Sequence, residues 1–352
     1  MSHELKILHV TECYAGGVRT AVNGYASLDL PVENHIIQSA RRHPQKVSAP
    51  DSEKFVTISN LPESHLGAVC AVIRVVKEVR PDVIHAHSSF GGVYGRLAGL
   101  ITRTPVVYTP HGLSFERRDI SKGKRRIFRI IERLFAPLST VQAGCATYET
   151  ELLAGLSKTS LVRVIPNAII GSEFTSSHAS EVHAKVDEKK ITFIGRITEA
   201  RHPEMAMEIA ALLKPHDIAV QWIGDGDPES KKALLEAGVD VTGWLAKDEM
   251  QQALQGVDVA IHTARWDGFP MVILEMLAAG IPLLVENISA LQECPAEVRF
   301  DTAEQAVQKI LQILEGDFNV DWSAVKDLYN EESQARSLLA VSYTHLRAHE
   351  TR

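Results

Sequence analysis

The stretch at residues 257–285, VDVAIHTARWDGFPMVILEMLAAGIPLLV, constrains this chain more than any other. Its apolar run at 257–261 has the length of a buried strand. A polar turn with Asp267, Gly268 and Pro270 follows. The next segment is apolar over a helix length, Gly280 closes it, and 281–285 is a second apolar run. Strand, turn, helix and strand make a βαβ unit. The turn after the first strand then lies at the ligand-binding edge of a parallel sheet. Glu275 disturbs the pattern, because a carboxylate on an apolar helix face is costly unless it is paired. The plain reading makes Asp267 a helix cap and sends Glu275 to solvent. The functional reading makes both of them ligand contacts.

The same alternation runs along the chain. Residues 6–10 (KILHV) are strand-like, the turn 11–17 ends in Gly16-Gly17, and 18–28 has helical spacing. Strand, glycine turn and helix present backbone N–H groups to an anion, although a glycine pair also serves a tight turn for its own sake. Strands are expected at 35–39, 54–58 and 83–85, and an amphipathic helix at 67–79 is stopped by Arg80-Pro81. The strand at 83–85 opens onto His85, His87, Ser88 and Ser89. With no third ligand at useful spacing, His-x-His reads as a polar rim rather than a metal site. A helix is expected at 92–101. The strand 106–109 leads into Pro110-His111-Gly112, which puts His111 where parallel sheets bind ligands. Further strands at 139–143 and 162–166 flank a helix at 148–156. The polar stretch ending at Lys190 lacks periodicity, and 169–190 is assigned to a linker. Beyond it, strands at 191–194, 219–223 and 239–241 alternate with helices at 204–213, 230–237 and 248–254. Repeated βα on both sides of the linker implies two parallel-sheet domains, 1–168 and 191–330, with strand ends expected across one cleft. Residues 331–341 are expected to form a helix returning to the N-terminal domain. Residues 342–352 (SYTHLRAHETR) have no apolar periodicity and read as a non-native tail.

Two domains also suit the length, since 352 residues exceed what one core usually fills. A net charge of −7 argues against a nucleic-acid binder. Cys13, Cys70, Cys145 and Cys294 form no CxxC pair, as fits reduced thiols in the cytoplasm. The N-terminus lacks signal-peptide order, and no apolar run approaches the roughly 20 residues that cross a bilayer. A membrane contact can still be read between Arg117 and Arg133. From Arg117 to Phe135 there are eight basic and two acidic residues, with Ile127, Ile130, Ile131, Leu134 and Phe135 on one helical face. This pattern suits a surface helix peripheral to anionic lipid at the inner membrane face. A solvated helix whose apolar face joins the core fits equally well, and both can hold together.

The second half gathers its unusual residues in the turns after strands. Arg196 and Arg201 lie around one turn just before a helix. Two guanidinium forks beside a helix N-terminus suit a diphosphate, although surface arginines need no ligand. Gly224-Asp225-Gly226 lets a backbone approach closely. The 268–271 segment offers backbone groups at the next helix N-terminus. Glu275, about two turns into that helix, could accept both hydroxyls of a ribose. Phosphate, ribose and sugar all find partners, which describes a nucleotide-sugar site.

These residues resemble a retaining glycosyltransferase of the GT-B fold, in family 4 (glycosyl transferases group 1), over residues 5–314. The most specific marks are Gly195-Arg196-Ile-Thr-Glu-Ala-Arg201-His-Pro203 and Asp267-Gly-Phe-Pro-Met-Val-Ile-Leu-Glu275, with Ala279-Gly280-Ile281-Pro282 behind it. Supporting marks are Gly16-Gly17, Pro81-Asp82-Val83-Ile84-His85, His111-Gly112, Ile165-Pro166-Asn167, Gly224-Asp225-Gly226 and Gly243-Trp244. The resemblance implies an α/β fold of two Rossmann-like domains with parallel sheets. It implies a donor diphosphate held by Gly16, Gly17, Arg196, Arg201, Gly268, Phe269, Pro270 and Met271. Gly226, Trp244 and Glu275 would hold the nucleoside. Asp267 would meet the donor sugar, with His111 at its reacting face, so His111, Asp267 and Arg196 carry the catalytic roles. Asp267 stands where the family usually has Glu, and Arg201 where it usually has Lys, which bears on donor choice. The implied reaction moves a sugar from a nucleotide sugar, a UDP-sugar for preference, to a glycan or lipid-linked acceptor in polysaccharide synthesis. No DxD motif is placed to hold a metal, so no metal cofactor is expected and arginines stand in for Mg²⁺. The rival readings are an epimerase or phosphorylase of similar build, and a UDP-binding subunit without turnover.

Overall fold

The computed structural model describes residues 4–39, 52–169 and 189–350, without the side chains of 247–248 and 344–350. Most of the expected linker at 169–190 therefore lies outside the described residues. Two compact units are present: the described residues 4–169 with 327–350, and 189–326.

The first unit runs β1 (Leu5–Thr11), α1 (Gly16–Ser27), β2 (Val32–Gln38), β3 (Thr57–Asn60), α2 (His65–Val79), β4 (Val83–His87), α3 (Ser89–Thr102), β5 (Val106–Thr109), α4 (Lys122–Phe135), β6 (Val141–Gly144), α5 (Thr147–Ala154) and β7 (Leu161–Val164). Among the described residues its sheet has seven strands in the order β3-β2-β1-β4-β5-β6-β7, and every pairing is parallel. Leu5, Ile7, Leu8 and Val10 of β1 are all buried, as expected of a strand covered on both faces. One face packs Leu8, Val10, Ile84 and Tyr108 under α2 and α3. The other packs Val83, Val107 and Val141 against Ala21 and Tyr25 of α1. Helix α2 begins at Ser64, whose Oγ accepts the Gly67 N–H at 3.1 Å. It ends at Arg80 in the left-handed region, just before Pro81.

The second unit runs β8 (Lys190–Ile194), α6 (Pro203–Leu213), β9 (Ala219–Ile223), α7 (Pro228–Glu236), β10 (Asp240–Gly243), α8 (Lys247–Leu254), β11 (Val259–His262), α9 (Met271–Ala278), β12 (Leu283–Glu286), β13 (Arg299–Phe300) and α10 (Ala303–Glu315). Its parallel sheet, six-stranded among the described residues, has the order β10-β9-β8-β11-β12-β13. Helix α11 (Ser323–Leu328) carries the chain out of this unit, and α12 (Glu331–Glu350) follows. In α12, Gln334 Nε2 donates to Pro166 O at 2.8 Å. Leu338 and Val341 join the first unit's core beside Ala21 and Ile165. The helix continues through most of the segment read from sequence as a tail.

Both sheets reverse direction once, at β1/β4 in the first unit and at β8/β11 in the second. Such a reversal leaves a crevice at the carboxyl ends of the two strands. The turns that open there are those at 12–15 and after His87 in one unit, and at 195–202 and 263–270 in the other.

Helix α4 corrects one expectation. Its apolar stripe does not join the core: Ile127, Ile130 and Leu134 are 56%, 49% and 69% exposed. Glu132 faces inward instead and is buried. Its Oε2 accepts from Arg96 Nη2 at 3.0 Å, and its Oε1 from the Tyr108 hydroxyl at 2.8 Å. Periodicity sees the apolar stripe but not which face of this helix turns inward. The inward face is the one whose Glu132 meets a buried cation 36 residues away.

Candidate active site

In the second unit, the turn after β8 and the turn after β9 meet backbone to backbone. The Gly195 N–H donates to Ile223 O at 2.9 Å, Ile197 N–H to Asp225 O at 3.0 Å, and Asp227 N–H to Ile197 O at 2.9 Å. A Cβ on Gly224 would stand 2.1 Å from Gly195 O, and one on Gly226 2.0 Å from Ile197 O. The close approach that these glycines permit is thus to the neighbouring turn. Trp222 Nε1 donates to Gly195 O at 2.8 Å, pinning the arginine turn from beneath. Arg196 emerges exposed, its guanidinium 5.8 Å from the Trp244 ring centroid.

The turns after β8 and β11 are joined to each other as well. Arg265 N–H donates to Ala200 O at 2.9 Å, and Thr263 Oγ1 to Arg201 O at 2.6 Å. Glu286, at the end of β12, completes the seam. Its Oε1 meets His202 Nδ1 at 2.7 Å, and its Oε2 accepts the Ala264 N–H at 2.9 Å. Sequence reasoning passed over Glu286, His202 and His262. The available signal was an acid or histidine at the carboxyl end of a parallel strand, where polar residues collect at a rim.

Arg201 and Asp267, assigned separately from sequence, form an ion pair with each other. Asp267 Oδ1 also accepts the Gly268 N–H at 2.7 Å, and His262 Nε2 lies 3.7 Å from Oδ2. Burial pushes the Asp267 carboxyl up, but Arg201 and His262 outweigh it and hold the group below the usual carboxylate range. Asp267 is therefore ionised throughout the physiological range. Phe269 and Met271 are buried, so only the main chain of that segment faces outward chemistry. No side chain caps the N-terminus of α9.

Glu275 is half-buried on the second turn of α9. No hydrogen-bond partner for its carboxylate is found among the described residues, and burial pushes its pKa up to about 7. A raised carboxyl pKa opposes folding once the unfolded chain ionises. The penalty is absent well below pH 4.5, grows above it, and is complete above about pH 7. Glu275→Gln is therefore expected to raise unfolding stability at pH 8 by about 1–3 kcal/mol, a difference that shrinks as pH falls toward 4.5. Denaturant melts at the two pH values check it, and an unchanged difference refutes it.

In the first unit, Gly16 takes φ +51° and opens α1, whose N-terminus likewise has no side-chain cap. Its hypothetical Cβ would meet nothing within 4 Å, so conformation rather than space calls for glycine there. Strand register brings His9 opposite His85, and Thr11 opposite His87. The missing third histidine is thus His9, contrary to the sequence expectation. The ligating nitrogens of His9, His85 and His87 lie within 4.8 Å of one another. They are already engaged, however. His9 Nδ1 meets His87 Nε2 at 3.0 Å and His9 Nε2 meets Asn34 Oδ1 at 3.1 Å. His87 Nδ1 meets His111 Nε2 at 3.1 Å, and His85 Nε2 meets Thr109 Oγ1 at 2.9 Å. Of the six nitrogens in the trio only His85 Nδ1 lacks a partner. The cluster is a hydrogen-bonded chain that ends on His111 at the rim.

These two rims lie in domains with known relatives. Residues 17–168 match the glycosyl transferase 4-like domain, and residues 188–316 match the glycosyl transferases group 1 domain. The chain belongs to the glycosyltransferases that these two domains define. This glycosyltransferase is 24% identical over 344 residues to an uncharacterised 41.2 kDa protein in the cps region of Klebsiella pneumoniae, covering 93% of this chain and 94% of that one. It is 27% identical over 263 residues to the UDP-Gal:α-D-GlcNAc-diphosphoundecaprenol α-1,3-galactosyltransferase of Escherichia coli, covering 66% and 65%. Among solved structures it is similar to HepE of Anabaena in complex with UDP and glucose, with TM-score 0.76 at 14% identity over 97% of this chain and 100% of that chain. The GT-B expectation and the expectation of a glycosyltransferase are both met.

Proposed function

We propose that this glycosyltransferase moves a sugar from a UDP-sugar to a lipid-linked glycan acceptor, with retention at the anomeric carbon and without a metal ion. The observation that carries the reading is Glu275. A half-buried acid with no internal partner costs stability, and perturbed acids of this kind cluster at functional sites. The vicinal hydroxyls of a ribose would supply the donors it lacks. Arg196, stacked near Trp244, and Arg201 are assigned to the diphosphate. Arg201 and Asp267 are paired with each other, so the donor would draw the guanidinium to its phosphate and a sugar hydroxyl to the carboxylate. Guanidinium groups fixed where negative charge develops stabilise the leaving group. The Escherichia coli relative named above uses UDP-Gal and a diphosphoundecaprenol acceptor, which supports this donor and acceptor class.

The test is a product assay with several UDP-sugars and a diphosphate-lipid-linked sugar, with and without EDTA, reading the new linkage by NMR. The expected result is a retained anomer at an unchanged rate in EDTA. An inverted linkage, loss of transfer in EDTA, or conversion of the donor without an acceptor would overturn the reading, and the last would favour an epimerase.

A membrane contact through α4 is part of the proposal. No helix among the described residues is long and apolar enough to cross a bilayer. The exposed Ile127, Ile130 and Leu134 are flanked by exposed Lys124, Arg126 and Arg133, a pattern suited to an interfacial helix. Ile130→Glu with Leu134→Glu is expected to weaken co-sedimentation with anionic liposomes at least tenfold and to leave the melting curve in place. Equal sedimentation of both forms would remove the membrane from the proposal.

A further inference from the structure

We infer that Asn34, His9 and His87 form a relay that holds His111 in a single tautomer, Nε2 protonated, with its Nδ1 lone pair offered to a hydroxyl of the donor sugar. The inference rests on the sugar contact assigned to His111. The three residues behind it are positioning residues, since they act through His111.

The relay follows from counting protons. Asn34 Oδ1 can only accept, so His9 Nε2 carries a hydrogen and donates to it at 3.1 Å. A neutral imidazole has one N–H, which leaves His9 Nδ1 as an acceptor. His87 Nε2 must then donate to it at 3.0 Å. The same rule makes His87 Nδ1 an acceptor, and His111 Nε2 donates to it at 3.1 Å. His111 Nδ1 is left bare, with no partner among the described residues. Each step requires uncharged rings. Burial lowers His9 and His111 to about 4, and burial with the neighbouring histidines lowers His87 well below 6.5.

Packing holds the rings in register. The ring planes of His9 and His87 are 17° apart with centroids at 5.3 Å, and those of His87 and His111 28° apart at 5.3 Å, so the rings meet edge to edge with each N–H···N bond near both planes. Tyr25 lies against both rings, 6.4 Å and 10° from His9 and 5.9 Å and 21° from His87. The main chain is fixed independently. His111 has φ +52°, a strained region for a residue with a Cβ. Buried Glu149 keeps it there, accepting the Gly112 N–H at 2.6 Å and the Cys145 N–H at 2.8 Å.

A bare Nδ1 accepts and cannot donate. It favours a neutral sugar with a free hydroxyl at the facing position. It disfavours the deoxy sugar, which offers nothing, and the uronic acid, which offers a second acceptor.

Histidine-selective ¹⁵N labelling of the full chain, with two-bond nitrogen–proton correlation spectra, reads the tautomers directly. The expected spectrum shows His111 protonated at Nε2 and bare at Nδ1. Asn34→Leu and His87→Phe should each release His111 to a mixture. The opposite tautomer in the unmodified protein, or a pattern indifferent to Asn34→Leu, overturns the relay, and because the first reading needs no variant, misfolding cannot rescue the idea. Transfer from UDP-glucose and UDP-galactose by His111→Ala separates the two claims. Unimpaired transfer there would remove the sugar contact and leave the relay standing on the spectrum.

Discussion

Arg196→Ala is expected to lower kcat/KM for sugar transfer by about 10²–10³-fold, the usual loss when one preorganised electrostatic contact to a developing charge is removed. The fold should survive. Arg196 is exposed, and its surroundings are fixed by other bonds: Gly195 by Trp222 and Ile223, Ile197 by Asp225 and Asp227. The replacement removes a guanidinium above Trp244 and leaves the crossing of the two turns intact. Steady-state kinetics beside a thermal melt separate the two effects. Arg196→Lys sharpens the test, because a point charge replaces the fork that pairs with two oxygens at once. It should recover only part of the loss. Unchanged turnover in Arg196→Ala would remove this residue from the chemistry.

Glu132→Ala should destabilise the first unit by about 3–5 kcal/mol, as expected when one partner of a buried ion pair is lost. Arg96 is fully buried beneath α4. It lies 3.9 Å from the Tyr108 ring centroid, donates from Nε to Gly92 O at 2.9 Å, and donates from Nη2 to Glu132. Without Glu132 its charge has no counterion among the described residues, and the Tyr108 hydroxyl loses its acceptor. The double variant Arg96→Met with Glu132→Leu should regain most of the loss, since apolar groups of similar volume often replace a buried pair at no cost. Denaturant titration of each variant decides it. A Glu132→Ala protein that unfolds at the same midpoint as the parent would show that the pair carries no stability.

The strands that were plain in the sequence are those buried on both sheet faces. β11 and β12 begin as short unbroken apolar runs, β1 and β9 are mostly apolar with single polar interruptions, and parallel pairing follows from their alternation with helices. What periodicity could not supply was contact between distant side chains. It found an apolar stripe on α4, but the inward face is the one that meets Arg96. It found His85 and His87, while the ring that completes their chain, His9, joins only through strand register 76 residues earlier. In the second unit the sequence reading singled out 195–203 and 267–275. It treated Arg201 and Asp267 as independent, and no spacing rule could show that they neutralise each other. Gly226 was read as clearance for a ligand. The same lack of a side chain clears Ile197 O, and the two demands cannot be told apart in one sequence.

The return of α12 to the first unit has a consequence for biosynthesis. Residues 4–169 leave the ribosome early, yet the core they build is closed by Leu338 and Val341, which emerge far later. Residues 189–326 are one uninterrupted stretch that forms the second unit, and α12 belongs to the first. A nascent chain therefore completes its middle before its beginning, and through most of translation the earliest-made strands wait with Ile165 and Ala21 uncovered, open to chaperones or to other chains.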